Sequence, residues 1–135
     1  MRGRLRRPKQ SQIPKEQSMS KVGIVTDKNF KEEILESRIP VLVDFWASWC
    51  PPCKMTEPTV HELSLELNGA VKVVKINVDQ NPISASQYEI AGVPTFIIFE
   101  NGKEISRCIG AQSKQQLLSI IREADNEVIA LRDKG

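Results

Sequence analysis

The chain has 135 residues, 40% of them apolar and 27% charged, with a net charge of +2, enough for one small domain built on a single core. No apolar run approaches the roughly 18 residues that a membrane-spanning helix needs. The charge is uneven, since Met1 to Ser18 carry six basic side chains (Arg2, Arg4, Arg6, Arg7, Lys9 and Lys15) against Glu16, a net of +5 that leaves −3 for the remainder. The basic isoelectric point therefore belongs to the tail and gives no reason to place a nucleic-acid surface on the rest of the chain.

That tail contains Pro8 and Pro14 and almost no large apolar residues, the composition of a segment that cannot offset its ordering entropy. Residues 1–20 accordingly read as a disordered basic extension and 21–135 as one domain. The extension has no apolar segment of the secretory kind, so export by that route is not expected. An organellar transit segment is compatible with a basic, acid-poor stretch, although Leu5 and Ile13 make no helix face; Met19 as the natural start is an equal alternative.

From Lys21 onward strands and helices alternate. Val22 to Val25 reads as a short strand, and Thr26 as the cap of a helix with Phe30, Ile34 and Leu35 on one face. Val41 to Trp46 is β-branched and aromatic with one charged intruder, Asp44, and reads as a buried strand. A helix follows from Pro51 to about Leu67, with Pro58 inside it removing one hydrogen bond and bending it. Val71 to Val78 is apolar enough for a central strand. Asn81-Pro82 supplies an N-cap and an N1 proline for a short helix ending near Tyr88. Thr95 to Glu100 and Glu104 to Ile109 flank Asn101-Gly102, a pair suited to a tight reversal. Ser113 and Gln116 form a capping box for a last helix whose stripe is Leu117, Ile121, Ala124, Val128 and Leu131. The order βαβαβαββα predicts an α/β fold, a mixed sheet with helices on both faces.

The chemistry concentrates in Trp49-Cys50-Pro51-Pro52-Cys53-Lys54, where two thiols lie one helical turn apart directly after a strand. A thiolate that attacks a target disulfide makes a mixed disulfide, and a second nearby thiol must displace the target before it dissociates. Cys50 at the helix N-terminus faces unpaired N–H groups and the positive end of the macrodipole, which pulls its pKa below the free value of about 8.5. Cys53, one turn further in, is shielded and acts second. Pro51 and Pro52 lack N–H groups where the helix leaves those donors free anyway. The double proline also restricts the reduced loop and shifts the redox potential, with a sign that the sequence does not carry. A zinc site would need four ligands, and beyond this pair only Cys108 and His61 remain. Cys108 reads as a core cysteine and His61 as a surface side chain away from the cysteines. Asp44, in the middle of VLVDFW, must either face water or be buried with a raised pKa.

The run Val41 to Lys54, VLVDFWASWCPPCK, resembles the active-site strand and turn of the thioredoxin family, which usually reads WCGPC, with Pro51 here in place of glycine. Gly92-Val93-Pro94-Thr95 resembles that family's cis-proline loop, and Asn101-Gly102 with Ile109-Gly110-Ala111 its terminal hairpin. The resemblance runs from Val22 to Leu131 and implies the thioredoxin fold and a protein-disulfide reductase working through a reversible Cys50–Cys53 disulfide. It implies that Asp44 accepts the proton of Cys53, that Lys75 lies near Asp44, and that Pro94 follows a cis bond and packs against the disulfide. The Val93 backbone would pair with an extended substrate, and Trp49, Gly92, Val93 and Gly110 would form a small docking surface around Cys50. No bound cofactor is implied. Electrons would come from NADPH through a flavin-dependent thioredoxin reductase, to a cytoplasmic monomer acting on disulfide-containing proteins, with no nucleic acid or membrane as partner. An oxidant or isomerase, or a binding subunit whose redox pair is incidental, are the alternatives.

Overall fold

A computed structural model of the chain describes residues 20–134, with side chains described as far as Ala124. The extension, apart from Ser20, and the positions Val128 and Leu131 of the last helical stripe therefore lie outside the described backbone or side chains. Five strands run β1 (Gly23–Ile24), β2 (Val41–Trp46), β3 (Lys72–Asn77), β4 (Thr95–Glu100) and β5 (Lys103–Ile109). Between and after them lie α1 (Lys31–Leu35), α2 (Pro51–Glu66), α3 (Pro82–Gln87) and α4 (Lys114–Lys134). The sheet order is β1-β3-β2-β4-β5. The first three are mutually parallel, while β2 with β4 and β4 with β5 are antiparallel.

Strand alternation sorts the side chains onto two faces. One face carries Val41, Val43, Phe45, Val74, Ile76, Ile97 and Phe99, packed against Phe30 and Ile34 from α1 and Tyr88 after α3. On the other, Leu42, Val73, Phe96 and Ile98 meet Val60 and Leu63 of α2 and Leu117, Ile121 and Ala124 of α4. The central strands are thus covered on both sides, which is why β2 and β4 carry apolar residues at nearly every position. Asp44 falls on the second face. Register places it beside Lys75 on one side and Phe96 on the other, with Ile24 beyond Lys75 and Cys108 beyond Phe96. One row of side chains thus crosses all five strands.

Two local readings are corrected. Thr26 caps no helix: its N–H and hydroxyl both engage Asn29 Oδ1, at 2.7 and 3.3 Å. This local side-chain bond competes with helical continuation. Only a single wide turn forms later, at Lys31–Leu35, closed by the Glu36 N–H on the Lys31 carbonyl at 2.9 Å. Asn81 does occupy the N-cap position of α3, but its side chain makes no cap bond. Instead Asn81 Oδ1 accepts from the Asp27 N–H at 2.8 Å, while the Asp27 carboxylate accepts from the N–H groups of Ile83 and Ser84 and from Ser84 Oγ at 3.1, 2.8 and 2.6 Å. The cap comes from 54 residues upstream.

Other local signals hold. Ser113 and Gln116 exchange reciprocal side-chain to N–H bonds at 2.7 and 3.1 Å. Asn101 and Gly102 both take positive φ, 53° and 78°, the conformation a two-residue hairpin turn requires. Pro58 sits within α2, which runs unbroken around it.

Candidate active site

The end of β2 delivers Ala47 to the interior, and the chain then turns into α2 with Cys50 as its N-cap and Pro51 and Pro52 in the first two helical positions. Neither proline has an N–H to leave unsatisfied, so the first free donor of the helix belongs to Cys53. It donates to Cys50 Sγ at 3.1 Å, a sulfur filling the role that an oxygen plays in an ordinary N-cap. Cys50 and Cys53 are joined in a disulfide. Both are almost fully buried, at 2% and 3% exposure, in a small cluster with Ala47 flanked by Trp46, Val78 and Val93. The expected contrast between an open Cys50 and a shielded Cys53 is thus not one of accessible area in the disulfide form, because both sulfurs are turned inward by the bond they share.

The loop before β4 meets the disulfide from the other side. Its Val93–Pro94 peptide is cis, and Cys50 Sγ stands 3.5 Å from the Val93 carbonyl oxygen. Thr95 Oγ1 donates to the Gly92 carbonyl at 2.6 Å and the Gly110 N–H to the Pro94 carbonyl at 2.7 Å. Gly92, Val93, Pro94 and Gly110 are thereby held together. Trp49 is 66% exposed beside Cys50, its indole N–H donating to Asp79 Oδ2 at 2.8 Å. Ile109 is exposed next to Gly110.

Asp44 is buried, not solvent-facing, with 3% exposure. Its Oδ1 accepts no hydrogen bond from the described residues. Burial drives its pKa up from 3.8 to about 7, against the pull of the Lys75 ammonium and helped by the Glu57 carboxylate. Lys75 Nζ sits 3.8 Å from Glu57 Oε2 and 4.7 Å above the centre of the Trp46 ring. Asp44, Glu57 and Lys75 line a cavity of about 350 Å3 between α2 and the β1 edge of the sheet, together with Val22, Ile24 and Pro58.

The cavity also contains His61, against the expectation of a surface side chain. Its Nε2 is buried and has no hydrogen-bond partner among the described residues. The spacing that could have revealed it is Cys53, Glu57, His61, three residues at successive intervals of four along one helix face. Cys108 is a free thiol, half-buried against the core under α4, and burial raises its pKa. Glu57, His61 and Asp79 are the polar neighbours that motif reading passed over. Among the described residues no three His, Cys, Asp or Glu side chains converge on a possible metal site.

A redox disulfide at the N-terminus of a helix, on a mixed sheet covered on both faces, defines a thiol-disulfide oxidoreductase. The thioredoxin family model matches residues 21–123. The chain is 52% identical over 100 residues to a thioredoxin of Rickettsia felis, covering 74% of this chain and 95% of that one. It is 49% identical over 105 residues to a thioredoxin of Synechocystis sp., covering 78% and 98%, and 50% identical over 103 residues to thioredoxin 1 of Synechococcus elongatus, covering 76% and 96%. The chain belongs to the thioredoxin family, and it is a protein-disulfide reductase. No helix among the described residues is long and apolar enough to cross a membrane.

Proposed function

We propose that Cys50 is the attacking thiolate, Cys53 the resolving thiol and Asp44 the group that takes the Cys53 proton. The observation that carries the order of events is the cap geometry, with Cys50 Sγ accepting the Cys53 N–H at 3.1 Å. A sulfur in that position gains most when it is anionic, since an N–H donor and the helix dipole both favour negative charge there. Cys50 therefore becomes thiolate first and attacks a substrate sulfur. The substrate disulfide breaks, one of its sulfurs leaves as a thiolate and the other stays joined to Cys50.

Cys53 then attacks the Cys50 sulfur. The Cys50–substrate bond breaks, the second substrate sulfur leaves reduced, and the protein pair is oxidised. Cys53 needs a base at this step, and a carboxylate titrating at about 7 is matched to accept a proton near neutrality. Burial drives that value up, the Lys75 ammonium lowers it and the Glu57 carboxylate raises it.

The docking surface is Trp49, Gly92, Val93, Pro94 and Gly110, with the Val93 backbone beside Cys50 Sγ available to an extended substrate segment. Its neutral, small-residue character suits many protein disulfides. Oxidised protein is returned to the dithiol by a flavin-dependent thioredoxin reductase that draws on NADPH, and the reaction itself needs no cofactor on this chain. We place the protein in the cytoplasm as a monomer, with residues 21–135 as the working domain and 1–20 as an extension. Brief iodoacetamide treatment of the reduced protein, followed by mass mapping, should place the label on Cys50. Earlier labelling of Cys53 or Cys108 would overturn the assignment.

A further inference from the structure

Asp44 can accept a proton in each cycle only if it also gives one up, and nothing yet described takes that proton to solvent. Asp44 Oδ1 and His61 Nε2 are both buried and both without a protein partner among the described residues, and they line the same cavity of about 350 Å3. Two unsatisfied buried polar atoms, on residues that line one cavity, each leave a desolvation cost of about 1–3 kcal/mol unless something bonds to them. A polar cavity of that size admits water, which is stable where it finds two or more polar partners.

The other charged groups facing this space are Glu57 from α2 and Lys75 from β3. They are 3.8 Å apart and occupied with each other. The β1 side contributes Ser20, Val22 and Ile24, none of them ionisable. His61 differs from Glu57 in kind, because an imidazole has two ring nitrogens and can take a proton at one while releasing another from the second. The residue is only partly buried while its Nε2 is buried, so it lies at the boundary between interior and surface. Its backbone is held in place, since its carbonyl accepts from Ser64 Oγ at 2.6 Å, and that oxygen accepts from the Lys21 N–H at 3.1 Å.

We propose that His61 is a positioning residue that moves protons between Asp44 and solvent, through water in the cavity that both residues line. In resolution the Cys53 proton passes to Asp44, from Asp44 through the water to His61 Nε2, and from the other ring nitrogen to bulk solvent. The departing substrate thiolate recovers a proton from solvent, so none is gained or lost. This rests on the reading of Asp44 as acceptor.

The test is single-turnover reduction of a protein disulfide by the reduced protein, followed by stopped flow near pH 7 in dilute buffer with and without added imidazole. His61→Ala should slow resolution by about tenfold, below the full contribution of a positioned acid or base. Free imidazole should restore the rate, which it would not do for a purely structural loss. His61→Gln, which keeps a polar side chain but carries no proton, should be slowed as well. Combining His61→Ala with Asp44→Asn should be no slower than Asp44→Asn alone. A wild-type rate in His61→Gln, multiplying losses in the double variant, failure of imidazole to rescue, or rescue of Glu57→Gln in its place would each overturn the proposal. If Asp44→Asn slows resolution and the His61 variants do not, only the route through His61 falls. If Asp44→Asn is itself silent, the role of Asp44 falls and takes this one with it.

Discussion

Asp44 costs the protein stability, and the cost has a pH signature. In the unfolded chain its carboxyl titrates near 3.8, and in the folded protein at about 7. Between those values the folded state holds a proton that the unfolded state has released, so stability from this group is full below the unfolded pKa and falls as the pH rises. It is fully lost once the pH passes the folded value. The separation corresponds to about 4 kcal/mol. Asp44→Asn should therefore raise the free energy of denaturant unfolding at about pH 8.5 by an amount approaching that figure, and leave it nearly unchanged at about pH 4. Equal effects at both values would mean that Asp44 is charged at no cost. That Asp44 must either face water or be buried with a raised pKa was legible from VLVDFW alone. What the sequence could not provide was the identity of its neighbours, because Glu57 and His61 line its cavity from a helix whose rotation about its axis only packing decides.

At the level of elements, the N-terminus of α3 depends on a residue outside it. Burial is the largest single influence on the Asp27 carboxyl and pushes its pKa up. Hydrogen bonds from the Ser84 hydroxyl and from the Ser84 and Ile83 backbone together outweigh it and hold the pKa below its ordinary value. The stabilisation is thus present above the unfolded pKa and fades as the pH falls through the folded one. Asp27→Ala should cost about 1–2 kcal/mol by denaturant unfolding, the range for losing an N-cap, while leaving alkylation of Cys50 unchanged. A loss below about 0.5 kcal/mol would show that Asn81 can take over the cap. Local signals were reliable where both partners lie within a few residues, as with Ser113 and Gln116 or Asn101 and Gly102. They failed at Thr26 and Asn81, each of which could bond in two ways, with the choice made by a partner close by in one case and across the molecule in the other.

For the molecule as a whole, the two faces of the sheet share the strands but not the chemistry. Leu63 and Ile97 are both fully buried, Leu63 under α2 on the Asp44 side and Ile97 on the opposite face. Truncating either to Ala should cost about 2–5 kcal/mol. Only Leu63→Ala loosens the helix that roofs the carboxyl, so only that variant should lower the Asp44 pKa toward its free value, as read from carboxyl carbon chemical shifts during titration. Matching shifts in the two variants would show that Asp44 senses overall stability rather than its own roof. The βαβαβαββα order and the covered central sheet were readable from periodicity, because both faces of β2 and β4 are apolar. The partition into two cores was not, since an all-apolar strand looks the same from either side.

The chain enters the described fold at the rim of the Asp44 cavity. Ser20 lines it, and the N–H of the next residue, Lys21, is fastened to Ser64 on α2. A group attached upstream of Ser20, an affinity tag for example, is joined within a few residues of the rim of that cavity. On the proposed role of Asp44, a bulky or strongly charged group there should change the rate of resolution without touching either cysteine. The end of the chain at which a label is joined is therefore a kinetic variable.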